Sequence, residues 1–216
     1  MGGGRKDAFP GADGSTIQQT GSPNAEAIQI YDDKENPLTE GSETGLQFVN
    51  ITANGVLNEK TSQVYTIKQP LTYIYCSNTT PWDWYTNNAI YQNNDLWSLN
   101  KTVYDPCPKG WKVPQDGTWN DCTTVTFPYY IHGQQTTTGS RYTTNGRQYV
   151  NLTWYPAAGF RDFGNGKLSF IGCDGSYWSS TYSNVRARYL YYPMTYVGPN
   201  NAYYRVMGFS VRCVQE

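Results

Sequence analysis

The chain has 216 residues, a formal charge of -1 and only 15% charged side chains, with the basic ones scattered singly. That leaves no electrostatic footprint for phosphate backbones or anionic lipid, so no nucleic acid partner and no membrane-surface partner is expected. No stretch approaches the roughly 18 consecutive apolar residues of a membrane span, so direct membrane insertion of this chain is not expected either.

The length favours a single domain with elaborate loops. Twenty Tyr and seven Trp against three Met make its apolar content strongly aromatic. Tyrosine serves interior and surface at once, because the ring packs while the hydroxyl stays wet. The start, Met1-Gly2-Gly3-Gly4, carries no charged-then-apolar leader and reads as truncated, so a signal sequence or lipid anchor is expected upstream.

Residues 1–45 are rich in Gly, Ser, Pro, Asn and acidic residues without apolar period, and are expected to be an extended lead-in packed on one domain spanning 46–216. Strand signals follow at Leu46-Gln47-Phe48-Val49, Val64-Tyr65-Thr66-Ile67 and Leu71-Thr72-Tyr73-Ile74-Tyr75, most simply an antiparallel meander. Ser77 to Asn100 interleaves Asn, Thr and Asp with Trp82, Trp84, Tyr85 and Trp97, which predicts a long loop pinned by tryptophans. A helix of a turn or two is predicted to start near Asp116 to Thr118, after Pro114, and to end before Thr123. Beyond a polar loop at Gln134 to Asn145, strands are predicted at Tyr149 to Tyr155, Tyr177 to Ser180 and Arg188 to Tyr192. In the last run Phe209, Val211 and Cys213 alternate with Ser210 and Arg212, a final strand with one apolar face.

Catalytic signals are weak. The single histidine, His132, lies beside a Gly, Thr and Gln loop with no Ser or Cys nucleophile to serve. Asp32-Asp33 and Asp162 have no partner that sequence identifies for paired acid and base work. Trp119-Asn120-Asp121 matches a calcium-ligand tripeptide of sugar-binding lectins but stands in the wrong block, without its Glu-Pro-Asn or Gln-Pro-Asp partner. Five cysteines without a C-x-x-C pair argue against zinc or a redox motif, and Cys76 and Cys122 read as small buried hydrophobes. No metal or cofactor is expected, and no enzyme activity.

Four ordered blocks carry a resemblance. They are Tyr104-Asp105-Pro106-Cys107-Pro108-Lys109-Gly110-Trp111-Lys112-Val113-Pro114, Trp154-Tyr155-Pro156-Ala157-Ala158-Gly159-Phe160-Arg161, Tyr177-Trp178-Ser179-Ser180 and Gly208-Phe209-Ser210-Val211-Arg212-Cys213-Val214. With Gly4-Arg5-Lys6-Asp7-Ala8-Phe9-Pro10-Gly11 near the start, the series resembles the fimbrillin-associated domains of Bacteroidales surface proteins, also described as the Fibrobacter succinogenes major paralogous domain. The resemblance implies an α+β, C-type-lectin-like fold with a twisted antiparallel sheet, few short helices and long loops. It also implies display on a cell surface or pilus tip and kinship with the variable proteins of diversity-generating retroelements. Within that fold Trp111, Trp154 and Trp178 are expected as core pillars. A Cys107–Cys213 disulfide is expected to tie the centre of the chain to its end.

The segment 174–207 is then the expected ligand face. Tyr182, Ser183, Asn184, Tyr189, Tyr191, Tyr196, Asn200, Asn201, Tyr203 and Tyr204 have paratope chemistry, large rigid rings among adaptable polar groups. Asp174, Ser176, Arg186 and Met194 complete the candidate ligand-binding set. If Leu190 and Tyr192 point inward, Tyr189 and Tyr191 point outward side by side. Arg188 stands where relatives carry an aromatic, which leaves its direction open. The expected partner is a protein or glycan on a host or neighbouring cell. The alternatives are a phage receptor-binding protein on the virion, an enzyme related to formylglycine-generating proteins in which Cys76 and Cys122 would meet, and a structural pilus subunit.

Overall fold

The structure, a computed structural model, describes residues 3–6, 16–17, 26–27, 31–39, 45–139, 141–142 and 144–216. In the lead-in, β1 (Thr16–Ile17) and β2 (Glu26–Ala27) pair antiparallel. Gly3 is docked on the body: its N–H donates to the Arg205 carbonyl (2.8 Å) and its carbonyl accepts from Trp84 Nε1 (2.9 Å). Residues 7–11 of the Gly4-to-Gly11 motif lie outside the described residues.

β3 (Gln47–Asn50) and β4 (Thr72–Tyr75) fall where β-branched and aromatic runs predict strands, but they pair parallel, Gln47 with Thr72 through Asn50 with Tyr75. A parallel pair requires a crossover. The crossover contains α1 (Gln63–Lys68), made from the Val64-to-Ile67 run expected as a strand. Thr66 is buried on it while Val64 and Ile67 stay exposed, so tertiary placement outweighs local β-propensity here. The 77–100 segment is the expected loop, with one 3-10 turn at Ala89–Tyr91; Trp84 and Trp97 are buried and Trp82 stacks on Tyr204 at 4.5 Å.

The Tyr104-to-Pro114 block is organised by Asp105, which is buried. Its carboxylate accepts from the N–H groups of Cys107 (2.8 Å) and Val113 (3.0 Å) and from Lys101 Nζ (3.1 Å). β5 (Trp111–Lys112) then pairs antiparallel with β15 (Val214–Gln215), beside the Cys107–Cys213 disulfide. Closing a loop of 106 residues contributes about 4 to 5 kcal/mol in the chain-entropy model.

No helix forms after Pro114. Gly117 has positive φ, and the Asp116 carboxylate accepts from Thr181 Oγ1 (2.7 Å) instead of capping, so residues 115–122 make successive turns around buried Trp119. β6 (Tyr129–Ile131), β7 (Gln134–Gln135), β8 (Gly146–Tyr149) and β9 (Thr153–Pro156) form an antiparallel sheet in the order β7-β6-β8-β9. The Tyr149-to-Tyr155 run is therefore a hairpin and not one strand, reversing at Val150 and Asn151, both with positive φ as tight hairpin turns demand.

β10 (Phe160–Arg161) and β11 (Leu168–Ser169) make a short hairpin. β12 (Gly175–Ser183), β13 (Arg186–Tyr192) and β14 (Gly198–Tyr204) make a three-stranded antiparallel sheet. The tail departs from the predicted regular strand: Gly208 bridges Arg161 and Ser210 bridges Tyr177, and continuous pairing resumes only at β15. Even so, Phe209 points inward and is buried.

The tryptophan expectation needs correction. Trp178 is fully buried, but Trp111 is 45% exposed and Trp154 37% exposed. Trp111 sits on a two-residue edge pair, and Trp154 alternates outward beside inward Tyr155; Trp84, Trp97 and Trp119 fill the core instead. The described residues are mainly sheet with few helices and no barrel, an architecture within the mainly-β or α+β classes. No described helix is long and apolar enough to cross a membrane.

Candidate ligand-binding site

Successive side chains of β12, β13 and β14 take opposite faces of their sheet. On one face stand Tyr177, Leu190 and Tyr192, set by the pairs Tyr177 with Leu190 and Gly175 with Tyr192. A Cβ at residue 175 would lie 1.9 Å from the Tyr192 ring, so only glycine lets that ring cross β12. This face packs against Phe127, Tyr129 and Tyr155 and is core. Its phenols are spent internally: Tyr192 Oη lies 2.7 Å from both the Tyr155 and Pro156 carbonyls, and Tyr177 donates to Pro156 (2.8 Å).

Beneath these rings lies Arg147, fully buried, with its guanidinium over Phe127, Tyr129 and Tyr192. It donates to the carbonyls of Phe127 (2.5 Å), Pro193 (3.0 Å), Met194 (3.1 Å) and Tyr196 (3.1 Å), and so holds the β13–β14 connection from below. Burial pulls its pKa down to about 10, which leaves it charged at neutral pH.

The other face is set by the pairs Ser176 with Tyr191, Trp178 with Tyr189 and Ala187 with Tyr203. Ser176, Tyr189, Tyr191 and Tyr203 face Phe160 and Asp162 of the β10 region, and Met207 and Phe209 of the tail, across a cleft of about 260 Å³. The far wall is held together by the Arg161–Gly208 bridge. Tyr191 donates its O–H to Asp174 Oδ2 (2.8 Å). Ser176 Oγ is buried and has no hydrogen-bond partner among the described residues. Burial, seconded by nearby phenols and carboxylates, raises the Tyr189, Tyr191 and Tyr203 phenols, so all three stay neutral.

A second buried cation, Arg205, steadies the opposite end of the sheet. Its guanidinium donates to the Asn184 carbonyl (3.2 Å) in the β12–β13 turn, to Asn93 O (3.3 Å) and to Asn94, and lies 4.0 Å from the buried Asp83 carboxylate. Burial opposes both charges, raising Asp83 and lowering Arg205.

The candidate residues therefore divide, and the expected continuous open patch of phenols is corrected. Tyr189 is only 8% exposed and Asp174 and Ser176 are buried, because the tail and β10 cover the face that Tyr189 and Tyr191 share. Leu190 and Tyr192 do point into the core. Tyr196 (50% exposed) stands beside Tyr191 at the cleft and Tyr182 (53% exposed) stands at the Arg205 end of the sheet near Asn94, with Asn184 and Arg186 also exposed and Ser183 half-buried. Arg186 lies over the Tyr204 ring at 5.1 Å. Met194 is half-buried against the core, and Asn201 Nδ2 reaches Gly198 O (3.4 Å). Asn200 is committed internally, accepting from Gly117 N–H (3.3 Å) and donating to Asn120 Oδ1 (2.7 Å). Arg188 turns toward the same segment, pairing with Asp116 at 3.2 Å.

Phe160, Asp162, Met207 and Phe209 were not among the sequence-derived site residues. The Gly-rich turn around Asp162 was the only local hint, because the Arg161–Gly208 bridge joins segments 47 residues apart (208 less 161). Cys76 and Cys122 sit in different hydrophobic clusters, and burial raises both thiols, Cys122 to about 12. Asp121 accepts from the Tyr149 hydroxyl, and no cluster of three His, Cys, Asp or Glu suited to a metal occurs among the described residues. A scan against protein-family models returned no match, and searches of curated proteins and of solved structures likewise returned none.

Proposed function

We propose that this chain is a non-enzymatic recognition module of C-type-lectin-like fold, similar to the fimbrillin-associated domains. It would be displayed extracellularly on a bacterial surface or pilus tip and bind a protein or glycan ligand with the β12–β14 sheet. One observation carries the reading. A three-stranded sheet anchored at both ends by buried arginines presents an aromatic cleft on one face, with Tyr196 exposed beside Tyr191, Arg186 exposed beside Tyr204, and Tyr182 exposed at the Arg205 end of the sheet. Rigid aromatic anchors beside exposed adaptable groups are the physics of a binding surface. Exposed side chains at such a rim vary at small cost to stability, the property a retroelement-diversified protein requires.

The test is binding of labelled protein to glycan arrays and to intact bacterial and epithelial cells. Replacing Tyr182, Arg186 and Tyr196 by Ala is expected to abolish selective binding. Each exposed truncation should cost only about 0.5 kcal/mol of stability. Selective binding that survives all three replacements would remove these exposed side chains from the ligand interface.

A further inference from the structure

The cleft holds features that single out a ligand chemistry, resting on the reading of this sheet as a recognition surface. Its walls are aromatic from both sides, Tyr189, Tyr191 and Tyr203 on the sheet and Phe160 opposite. Tyr189 and Tyr191 meet at 49° with ring centroids 6.0 Å apart, so their faces form a corner and not a flat platform. Besides the phenols, Asp162, whose Oδ1 accepts from Gly164 N–H (2.8 Å), and Ser176, whose buried hydroxyl has no hydrogen-bond partner among the described residues, line it. The Tyr191 hydroxyl is already given to Asp174, which places a second carboxylate behind that ring. Among the described residues no Lys, Arg or His lines the cleft; the Arg161 guanidinium lies over Phe48 and Tyr73, and Arg186 lies over Tyr204.

We propose that this cleft receives a primary alkylammonium group, the end of a lysine side chain on a protein ligand, with the charge against Asp162, the rings of Tyr189, Tyr191 and Tyr203 around the methylenes, and one N–H donated to Ser176 Oγ. Ring faces attract cations, most strongly where water is excluded, and an ammonium carries the three donors that a carboxylate and an unpartnered hydroxyl accept. The volume of about 260 Å³ lies below that of drug-sized sites, which suits a single side chain. A sugar ring would bring several hydroxyls to a wall with too few free polar groups to satisfy them.

The test titrates the intact chain with Nα-acetyl-lysine amide, with its Nε-acetylated form, with Nα-acetyl-norleucine amide and with methyl glycosides, read by NMR shifts of the cleft residues. The lysine amide is expected to saturate, and the two uncharged analogues to bind at least about tenfold more weakly. Asp162→Asn, which keeps the acceptor for Gly164, should weaken the lysine amide by about tenfold, and Ser176→Ala by a few-fold. Equal binding of norleucine amide, no saturation by the lysine amide, an indifferent Asp162→Asn, or a glycoside in its place would each overturn the proposal. The Tyr182, Arg186 and Tyr196 triple variant separates the two readings. Lysine-amide binding that persists while cell binding is lost supports both, and cell binding that persists with an unchanged cleft refutes only the rim.

Discussion

The two faces of the β12–β14 sheet carry the same residue type to opposite ends. Tyr177 and Tyr192 stand on one face and Tyr189, Tyr191 and Tyr203 on the other, with Tyr191 and Tyr192 adjacent on β13. On the first face the hydroxyls close on the Tyr155 and Pro156 carbonyls, so the rings are interior pillars. On the second, Tyr191 alone among the described cleft tyrosines spends its hydroxyl on a neighbouring carboxylate, and the rings border a cavity. What a tyrosine does is therefore decided by where its oxygen finds a partner, which strand alternation alone does not reveal.

The strongest way to sharpen this contrast is alkaline titration. Tyr73, Tyr177, Tyr189 and Tyr192 all have phenols raised from 10.0, chiefly by burial. Above pH 10 the unfolded chain releases these protons while the folded chain retains them, so stability present below pH 10 falls as pH rises. Each such phenol removes about 1.4 kcal/mol per pH unit. Chemical denaturation at stepped pH, followed by tyrosinate absorbance, should show ionisation and unfolding together; free ionisation in the folded state would contradict the burial.

Arg147→Met tests the core face next. It strands four carbonyls beneath Tyr192 and should cost about 3 kcal/mol by urea denaturation. It should also loosen the connection bearing Tyr196, seen as faster amide exchange there. Tyr192→Phe is smaller. It removes the donor to the buried Tyr155 carbonyl, while the Pro156 carbonyl keeps Tyr177, and should cost about 1 to 2 kcal/mol in the same measurement. Tyr203→Phe on the cleft face should change stability by no more than about 0.5 kcal/mol, since no hydrogen bond from its hydroxyl occurs among the described residues. A cost equal to that of Tyr192→Phe would erase the difference between the faces.

Much of the strand content was readable along the chain. The runs at Leu46, Leu71, Tyr177 and Arg188 all contribute to strands, because β-branched and aromatic runs bounded by turn residues favour extended backbone. The Val64-to-Ile67 run shows where such reading stops: its propensity is for strand, yet the parallel β3–β4 pair needs a crossover there. Trp111 and Trp154 stay near the surface because an edge pair and an outward register leave them there. Within the candidate site, Tyr182, Asn184, Arg186 and Tyr196 were legible as exposed residues, whereas the burial of Asp174, Ser176 and Tyr189 was not.

The amino-acid sequence by itself determined a weakly charged, tyrosine-rich chain of short strands and tryptophan-pinned loops, because composition and local periodicity act over a few residues. Only the tertiary structure decided which phenols close on carbonyls and which line the cleft. That choice depends on Asp162 and Met207, brought from distant segments by the Arg161–Gly208 bridge, and contacts of such separation leave no mark on local pattern.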